Sequence, residues 1–391
     1  MRFIHAGDVH LGNAFSGLDT RHFRAPLQNL ITHATQRAFL ALIDTAIDEE
    51  VDFVLFPGDL YNASAANVYV ENIVLTAFER LNAAGIPVIL SFGNHDFAAL
   101  EQTRLPWPDN VEVLPQTVAT IQLTTKAGEQ VALSGFSYQT PRQEARVIAE
   151  FPLHQAQADW HIGLYHGALG GEVYAPFTLA ELNAKNYDYW ALGHIHIRQT
   201  LQEQPFIGYS GSLQGLNRKE SGAKGFYVVS DVNGRLVPEF RAVSPLIWDE
   251  VTLSSDYADE TQLVTAAQNT LTTPNQLVTL RLTGDVTPAL AQNIASGLTV
   301  QRLQIALPET IGVVKIQLAP VEKALLPQSF DARDWQTALT QTVTREQIQQ
   351  LLGAKLPPFV YDYFADESVL DELKTAVQQQ ITALQGDQHA D

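Results

Sequence analysis

The chain has 391 residues, of which 46% are hydrophobic and 17% charged, a balance that excludes wholesale disorder and a fibrous fold. At the usual domain size this length predicts two or three domains. The net charge of −19 repels nucleic acid and anionic membranes at long range, so any polyanion must be met by a local positive patch, a bound cation or a partner chain. No cysteine is present, which excludes disulfides, thiolate zinc sites and a cysteine nucleophile and fits a reducing compartment.

In chain order, Arg2–Ala6 reads as a strand that stops at Gly7-Asp8. Asp8 and His10 arrive before any apolar signal-peptide core could form, and no stretch has the apolar length of a membrane helix. A soluble, cytoplasmic protein without a membrane partner is expected. Ala34–Glu50 has helical spacing through Ala38, Leu42, Ala46 and Ile47. Asp52–Phe56 is a buried strand ending at Pro57-Gly58-Asp59, Val70–Ala84 a helix, and Pro87–Phe92 a strand ending at Gly93-Asn94-His95-Asp96. This order predicts an α/β domain, in which ligands sit beyond the carboxyl ends of the strands.

Val111–Gln122 and Gln130–Phe136 suggest an antiparallel β region. Trp160–Tyr165 is a strand ending in His166-Gly167, and Tyr187–Leu192 one ending in Gly193-His194-Ile195-His196. Pro205–Tyr209 and Gly225–Ser230 close the domain. The expected architecture is two β-sheets packed face to face with helices outside. From Trp248 the pattern reads strand, helix, strand, helix, strand, with Gln301–Ala306 as the last strand: a small α+β domain. Beyond Leu325 three helices are expected, Trp335–Leu339, Glu346–Leu352 and Glu367–Leu384, the last with an apolar stripe. The predicted division is residues 1–243, 244–322 and 323–391.

The ionisable residues collect at strand ends: Asp8-x-His10, Gly58-Asp59, Gly93-Asn94-His95-Asp96, His166 and Gly193-His194-x-His196. Each block alone has an ordinary structural explanation. Asp-x-His and Gly-Asp are turn sequences, Asn-His-Asp is a good helix cap, and Gly-His-x-His can be a satisfied surface cluster. All five in order, each after an apolar run, point instead to one rim. Carboxylate, amide oxygen and imidazole suit Mn²⁺, Fe²⁺ or Zn²⁺, and one carboxylate between two histidine-rich half-sites suits a bridged pair of ions. His5, His22, His33, His154, His161 and His389 lie outside the pattern and read as core or surface residues.

These five blocks resemble the pattern of the calcineurin-like metallophosphoesterases. The MRFIHAGDVHLG, FPGDLY, GNHD and YSGSLQGLNRKESGAKGFYVV stretches are similar to SbcD-like and YhaO-like bacterial DNA repair exonucleases. The resemblance implies that Asp8, His10 and His196 hold one ion, Asn94, His166 and His194 the other, and that Asp59 bridges them. It implies two Mn²⁺ ions, with His95 facing the scissile phosphate and Asp96 orienting His95. It further implies DNA as substrate, an SbcC-like coiled-coil ATPase as partner and a homodimer. The tail helix would suit partner docking or packing against the small capping domain. Nuclease relatives carry a further histidine a few residues after the bridging carboxylate, where this chain has Asn62, a departure that bears on substrate preference.

Arg218, Lys219 and Lys224, in a Gly-rich region, are candidate phosphate contacts or solvated turn residues; Arg21 and Arg24 are further candidates. Tyr61 and Phe97 could stack on a base. The same metal centre would also serve a small-molecule phosphoesterase acting on a cyclic nucleotide or phosphomonoester. An intact ligand set argues against a non-catalytic scaffold.

Overall fold

The computed structural model describes residues 1–13, 15, 18–61, 68–97, 106–171, 173–318 and six isolated positions beyond. Residues Met1–Ala319 form one compact unit and Pro320–Asp391 a second. The first begins with alternating strands and helices: β1 (Arg2–His5), α1 (Ala25–Asp48), β2 (Phe53–Pro57), α2 (Val68–Ala83), β3 (Val88–Ser91) and β4 (Val111–Val113). Then come β5 (Ala119–Thr124), β6 (Gln130–Gly135), β7 (Trp160–His166), α3 (Leu179–Asn183), β8 (Tyr189–Gly193), β9 (Gln199–Glu203) and β10 (Phe206–Tyr209). The chain returns through β11 (Gly225–Asp231) and β12 (Leu236–Ala242).

Two six-stranded sheets result, ordered β12-β11-β1-β2-β3-β4 and β5-β6-β7-β8-β10-β9. β1 to β4 run parallel, as do β6, β7, β8 and β10, so the loops bearing Asp8, Asp59 and Asn94 leave one edge and those bearing His166 and His194 leave another. The two sheets share a buried layer that includes Phe3, Phe53, Leu55, Ile89, Leu133, Ile162, Leu164, Tyr189 and Ala191. On the other face of the first sheet, Ile4, Val54, Phe56 and Leu90 pack on Phe39, Leu42 and Ile43 of α1 and Val74 and Phe78 of α2. With both faces covered, these strands are continuously apolar, which is why they are conspicuous in the sequence.

The last part of this same unit, a small subdomain, comprises β13 (Ile247–Leu253), α4 (Glu260–Thr270), β14 (Gln276–Leu282), α5 (Pro288–Ala295), α6 (Leu298–Ala306) and β15 (Ile311–Leu318). Its three strands are parallel. The expected strand Gln301–Ala306 is therefore a correction: it lies in α6, and the strand follows Pro308. In the helix the two residues take different faces: Leu303 is buried while Ile305 is 77% exposed. The run Val111–Gln122 also divides at Pro115, with β4 parallel to β3 in one sheet and β5 antiparallel to β6 in the other.

Helix α1 starts nine residues before the expected Ala34, with Pro26 in its first turn. Its early face, Leu27, Leu30, Ile31 and Ala34, packs on Leu246, Trp248 and Leu277 of the small domain. That partner was invisible to local periodicity. The Arg24 guanidinium donates to the carbonyls of Gln304 (2.9 Å), Ile305 and Leu307 (3.1 Å), capping the end of α6. No helix among the described residues is long and apolar enough to cross a membrane. The helices expected at 335–339, 346–352 and 367–384 lie outside the described residues, apart from isolated positions such as Gln347 and Leu370.

Candidate metal centre

The strand ends converge. Asp8 and His10 follow β1, Asp59 follows β2, Asn94 to Asp96 follow β3, His166 ends β7, and His194 and His196 follow β8. Ligand atoms of Asp8, His10 and His196 lie within 4.8 Å of one another, as do those of Asp8, Asp59 and His166. Asp8 is common to both groups, and Asp59 Oδ2 lies 3.4 Å from His166 Nε2 and 3.7 Å from His10 Nε2. Asn94 Oδ1 lies 3.0 Å from His166 Nε2 and 3.1 Å from His194 Nδ1. His10 Nε2 lies 2.9 Å from His196 Nε2.

Close packing at the rim depends on glycine. A Cβ on Gly58, whose φ is +92°, would lie 2.2 Å from His166 Nδ1; one on Gly193 would lie 2.0 Å from the Pro57 carbonyl oxygen. Asp8, His10, Asp59 and His194 all have positive φ, at 51°, 50°, 55° and 105°. Each such conformation costs about 1–3 kcal/mol and persists only where the surrounding structure enforces it. Backbone contacts supply that enforcement. The His194 N–H donates to both Asp8 carboxylate oxygens at 2.9 and 3.1 Å, and the His95 N–H donates to Asp59 Oδ1 at 2.9 Å. The carbonyl of Pro57 faces His166 Nδ1 at 3.0 Å, leaving Nε2 free to ligate.

The electrostatics describe a donor set that suits cations. Burial pushes Asp8 up to about 6 and Asp96 up to about 7. Burial, with the charges of Asp96 and Asp8, holds Asp59 well above the usual carboxylate range. Burial and neighbouring imidazoles hold His10 and His166 well below the usual histidine value, lower His194 to about 4 and depress His95. Neutral imidazoles present lone pairs, and crowded buried carboxylates lack positive charge; divalent cations answer both conditions. His10 Nδ1 is additionally buried without a hydrogen-bond partner. The residues therefore fit a pair of divalent ions.

His95 is close to the group, its ring edge-on to His10 with centroids 5.0 Å apart. Asp96 differs from the expected role. Its carboxylate accepts from the backbone N–H groups of Gly93 (2.6 Å), Leu60 (2.7 Å) and Tyr61 (3.2 Å), and none of its described hydrogen bonds reaches the His95 ring. Asp96 thus clamps the Asp59 loop to the Asn94 loop. Arg218 and Lys219 are exposed, two and one residues before Glu220, which touches His196. Lys224 is buried and donates to the His196 carbonyl at 3.2 Å, which removes it as a phosphate contact. Arg21 pairs with Asp19 at 2.7 Å, and Arg24 is committed to α6. Tyr61 is 3% exposed, and Phe97 packs against Phe136 and its neighbours, so neither is an open stacking platform. Asn62 lies outside the described residues. His5 and His161 are core residues, as expected.

A contact of the centre that sequence reasoning missed is Glu220. Its Oε1 lies 3.0 Å from His196 Nδ1, across 24 residues of chain with no motif linking the two.

A face-to-face sheet sandwich whose strand ends gather carboxylates, an amide and histidines around Asp8 and Asp59 is the build of a dinuclear metal centre. Residues 1–198 match the calcineurin-like phosphoesterase family, and the chain belongs to that family. It is 37% identical over 256 residues to Bacillus subtilis YhaO, described as an uncharacterized metallophosphoesterase, covering 64% of this chain and 62% of that one. It is 25% identical over 241 residues to the DNA double-strand break repair protein Mre11 of Methanocaldococcus jannaschii, covering 59% and 62%. To the Mre11 of Haloferax volcanii it is 27% identical over 308 residues, covering 75% and 64%. The chain thus spans somewhat less than two thirds of the length of these relatives.

Proposed function

We propose that the protein is a Mn²⁺-dependent DNA exonuclease or endonuclease that hydrolyses phosphodiesters with water. The observation that carries the reading is Asp59 Oδ2, within 3.7 Å of His10 Nε2 on one side and 3.4 Å from His166 Nε2 on the other. In this reading Asp8, His10 and His196 hold one ion, Asn94, His166 and His194 the second, and Asp59 serves both. Bound there, the two ions would neutralise phosphate oxygens and make water a competent nucleophile at neutral pH. They would also answer the charge problem of a chain at −19 meeting a polyanion.

The chain's own groups do the rest. Asp59 fixes the His95 backbone, and in this reading the imidazole faces the scissile phosphate. A phosphate anion beside it favours the protonated ring, and His95 then gives its proton to the departing sugar oxygen. Asp96 keeps the loops of Asp59 and Asn94 in register. In this reading the exposed Arg218 and Lys219 contact the DNA backbone. Support for DNA as substrate comes from the likeness to proteins named for double-strand break repair and from the domain beyond the catalytic sheets.

We assign residues 1–243 to catalysis, 244–322 to a cap that positions DNA, and 323–391 to docking an SbcC-like coiled-coil ATPase, in a cytoplasmic homodimer. The test compares linear double-stranded DNA, single-stranded DNA, bis-p-nitrophenyl phosphate and cyclic nucleotides in Mn²⁺. DNA cleavage is expected, lowered roughly 10²- to 10⁴-fold by His95→Ala. Hydrolysis of the small esters with no DNA cut would replace this reading with a small-molecule phosphoesterase.

A further inference from the structure

We infer that Glu220 is a positioning residue of the metal centre, and that through it the small domain preorganises the ligand His196. The inference rests on the two-ion reading above. Glu220 is 6% exposed. A carboxylate so buried demands partners. Its Oε1 faces His196 Nδ1 at 3.0 Å and also accepts from the Asn217 side-chain amide; its Oε2 accepts from the Leu216 N–H at 3.0 Å. With Nδ1 donating to Glu220, the lone pair of His196 is on Nε2, the atom turned toward His10 Nε2 2.9 Å away. Glu220 therefore sets both the tautomer and the ring angle of a ligand. His166 receives the equivalent service from a backbone carbonyl, that of Pro57. His196 alone among these two depends on a side chain, and so on whatever holds that side chain still.

What holds it is the first strand of the small domain. The Trp248 indole N–H donates to the Gly215 carbonyl at 2.9 Å, and the Trp248 carbonyl accepts from the Gly222 N–H at 2.9 Å. The Gln214 amide donates to the Leu246 carbonyl at 2.8 Å. These bonds grip the segment on both sides of Glu220. The grip is tight enough that a Cβ on Gly215 would lie 2.5 Å from the Glu220 carbonyl oxygen. The path from Trp248 through Gly215 and Glu220 to His196 is continuous, and it ends at an atom of the metal centre.

The test is a Mn²⁺ titration of the metal-stripped full chain, followed by calorimetry or by the electron paramagnetic resonance of free Mn²⁺. Wild type is expected to bind two ions. Glu220→Ala should weaken one site roughly 10- to 100-fold and leave the other unchanged. Glu220→Gln keeps one acceptor oxygen and the side-chain volume, so its affinity should fall between wild type and Glu220→Ala. Trp248→Phe, which removes only the indole donor, should weaken the same site by a smaller factor. Should Glu220→Ala fail to fold, Glu220→Gln decides: a single weakened site supports the inference, and wild-type affinity at both sites overturns it. Equal weakening of both sites also overturns it, since general loosening would do that. A wild-type protein that binds no Mn²⁺ would overturn the two-ion reading as well, whereas wild-type binding by the Glu220 variants leaves that reading standing.

Discussion

The rim of the two large sheets and the interior of the small domain are built by opposite rules. At the rim, four ligand-candidate residues hold positive φ, three carboxylates are buried together, and glycines admit side chains where a Cβ would collide. The small domain interior is ordinary. Leu263, Leu280, Leu282, Leu290 and Leu303 fill it, and two of its three helices, α4 and α5, begin on side-chain caps from Asp259 and Thr287. The contrast teaches where stability has been set against chemistry. Rim residues are costly to fold and are held by backbone hydrogen bonds; interior residues stabilise, and the strand that carries Trp248 links them to the rim.

The largest expected break in this comparison is Asp59→Asn. It removes the carboxylate that faces both His10 and His166, and ester hydrolysis in Mn²⁺ should fall to background. Because the variant also relieves a crowded buried charge, the melting temperature of the metal-stripped protein should hold or rise. A falling melting temperature would mean that Asp59 is structural.

Leu280→Ala tests the other region. Burying less of β14 should cost roughly 2–5 kcal/mol in chemical denaturation. Mn²⁺ stoichiometry should remain at the wild-type value while the protein stays folded. Loss of an ion from the folded variant would dissolve the division between the two regions.

The smallest effect concerns histidines away from the rim. Burial lowers His5 and His161 to about 4. Their folded values lie below the unfolded value of about 6.5, so the unfolded chain takes up protons first. Their contribution to stability is complete above about pH 6.5 and lost as pH falls toward 4. His161→Gln, which can still bond Ser134, should flatten the melting-temperature profile over that window. An unchanged slope would show that these rings are not the groups that titrate.

Much of the centre was legible because each ligand follows a strand. A strand buried on both faces is a short apolar run, and its end is marked by Gly with an ionisable group; the blocks around Asp8, Asp59, Asn94, His166 and His194 carry both marks. Asp96 was recognised as part of the site but given the wrong partner, because spacing does not say which N–H groups a buried carboxylate meets. Lys224 and Arg24 looked available for phosphate because charge is visible in a sequence and carbonyl partners are not. The error at Gln301–Ala306 has the same root: a short stretch of that kind fits strand or helix, and only packing shows Leu303 buried and Ile305 exposed.

The amino-acid sequence by itself determined the strand ends, the donor types and the alternating β-α plan, because these depend on local periodicity and on residue chemistry. Tertiary structure decided which donor faces which. It placed Asp59 between His10 and His166, sent Asp96 to three backbone amides and brought Glu220 to His196 across 24 residues. Those pairings arise where separate loops meet at the edge of two packed sheets, and no local pattern encodes that meeting.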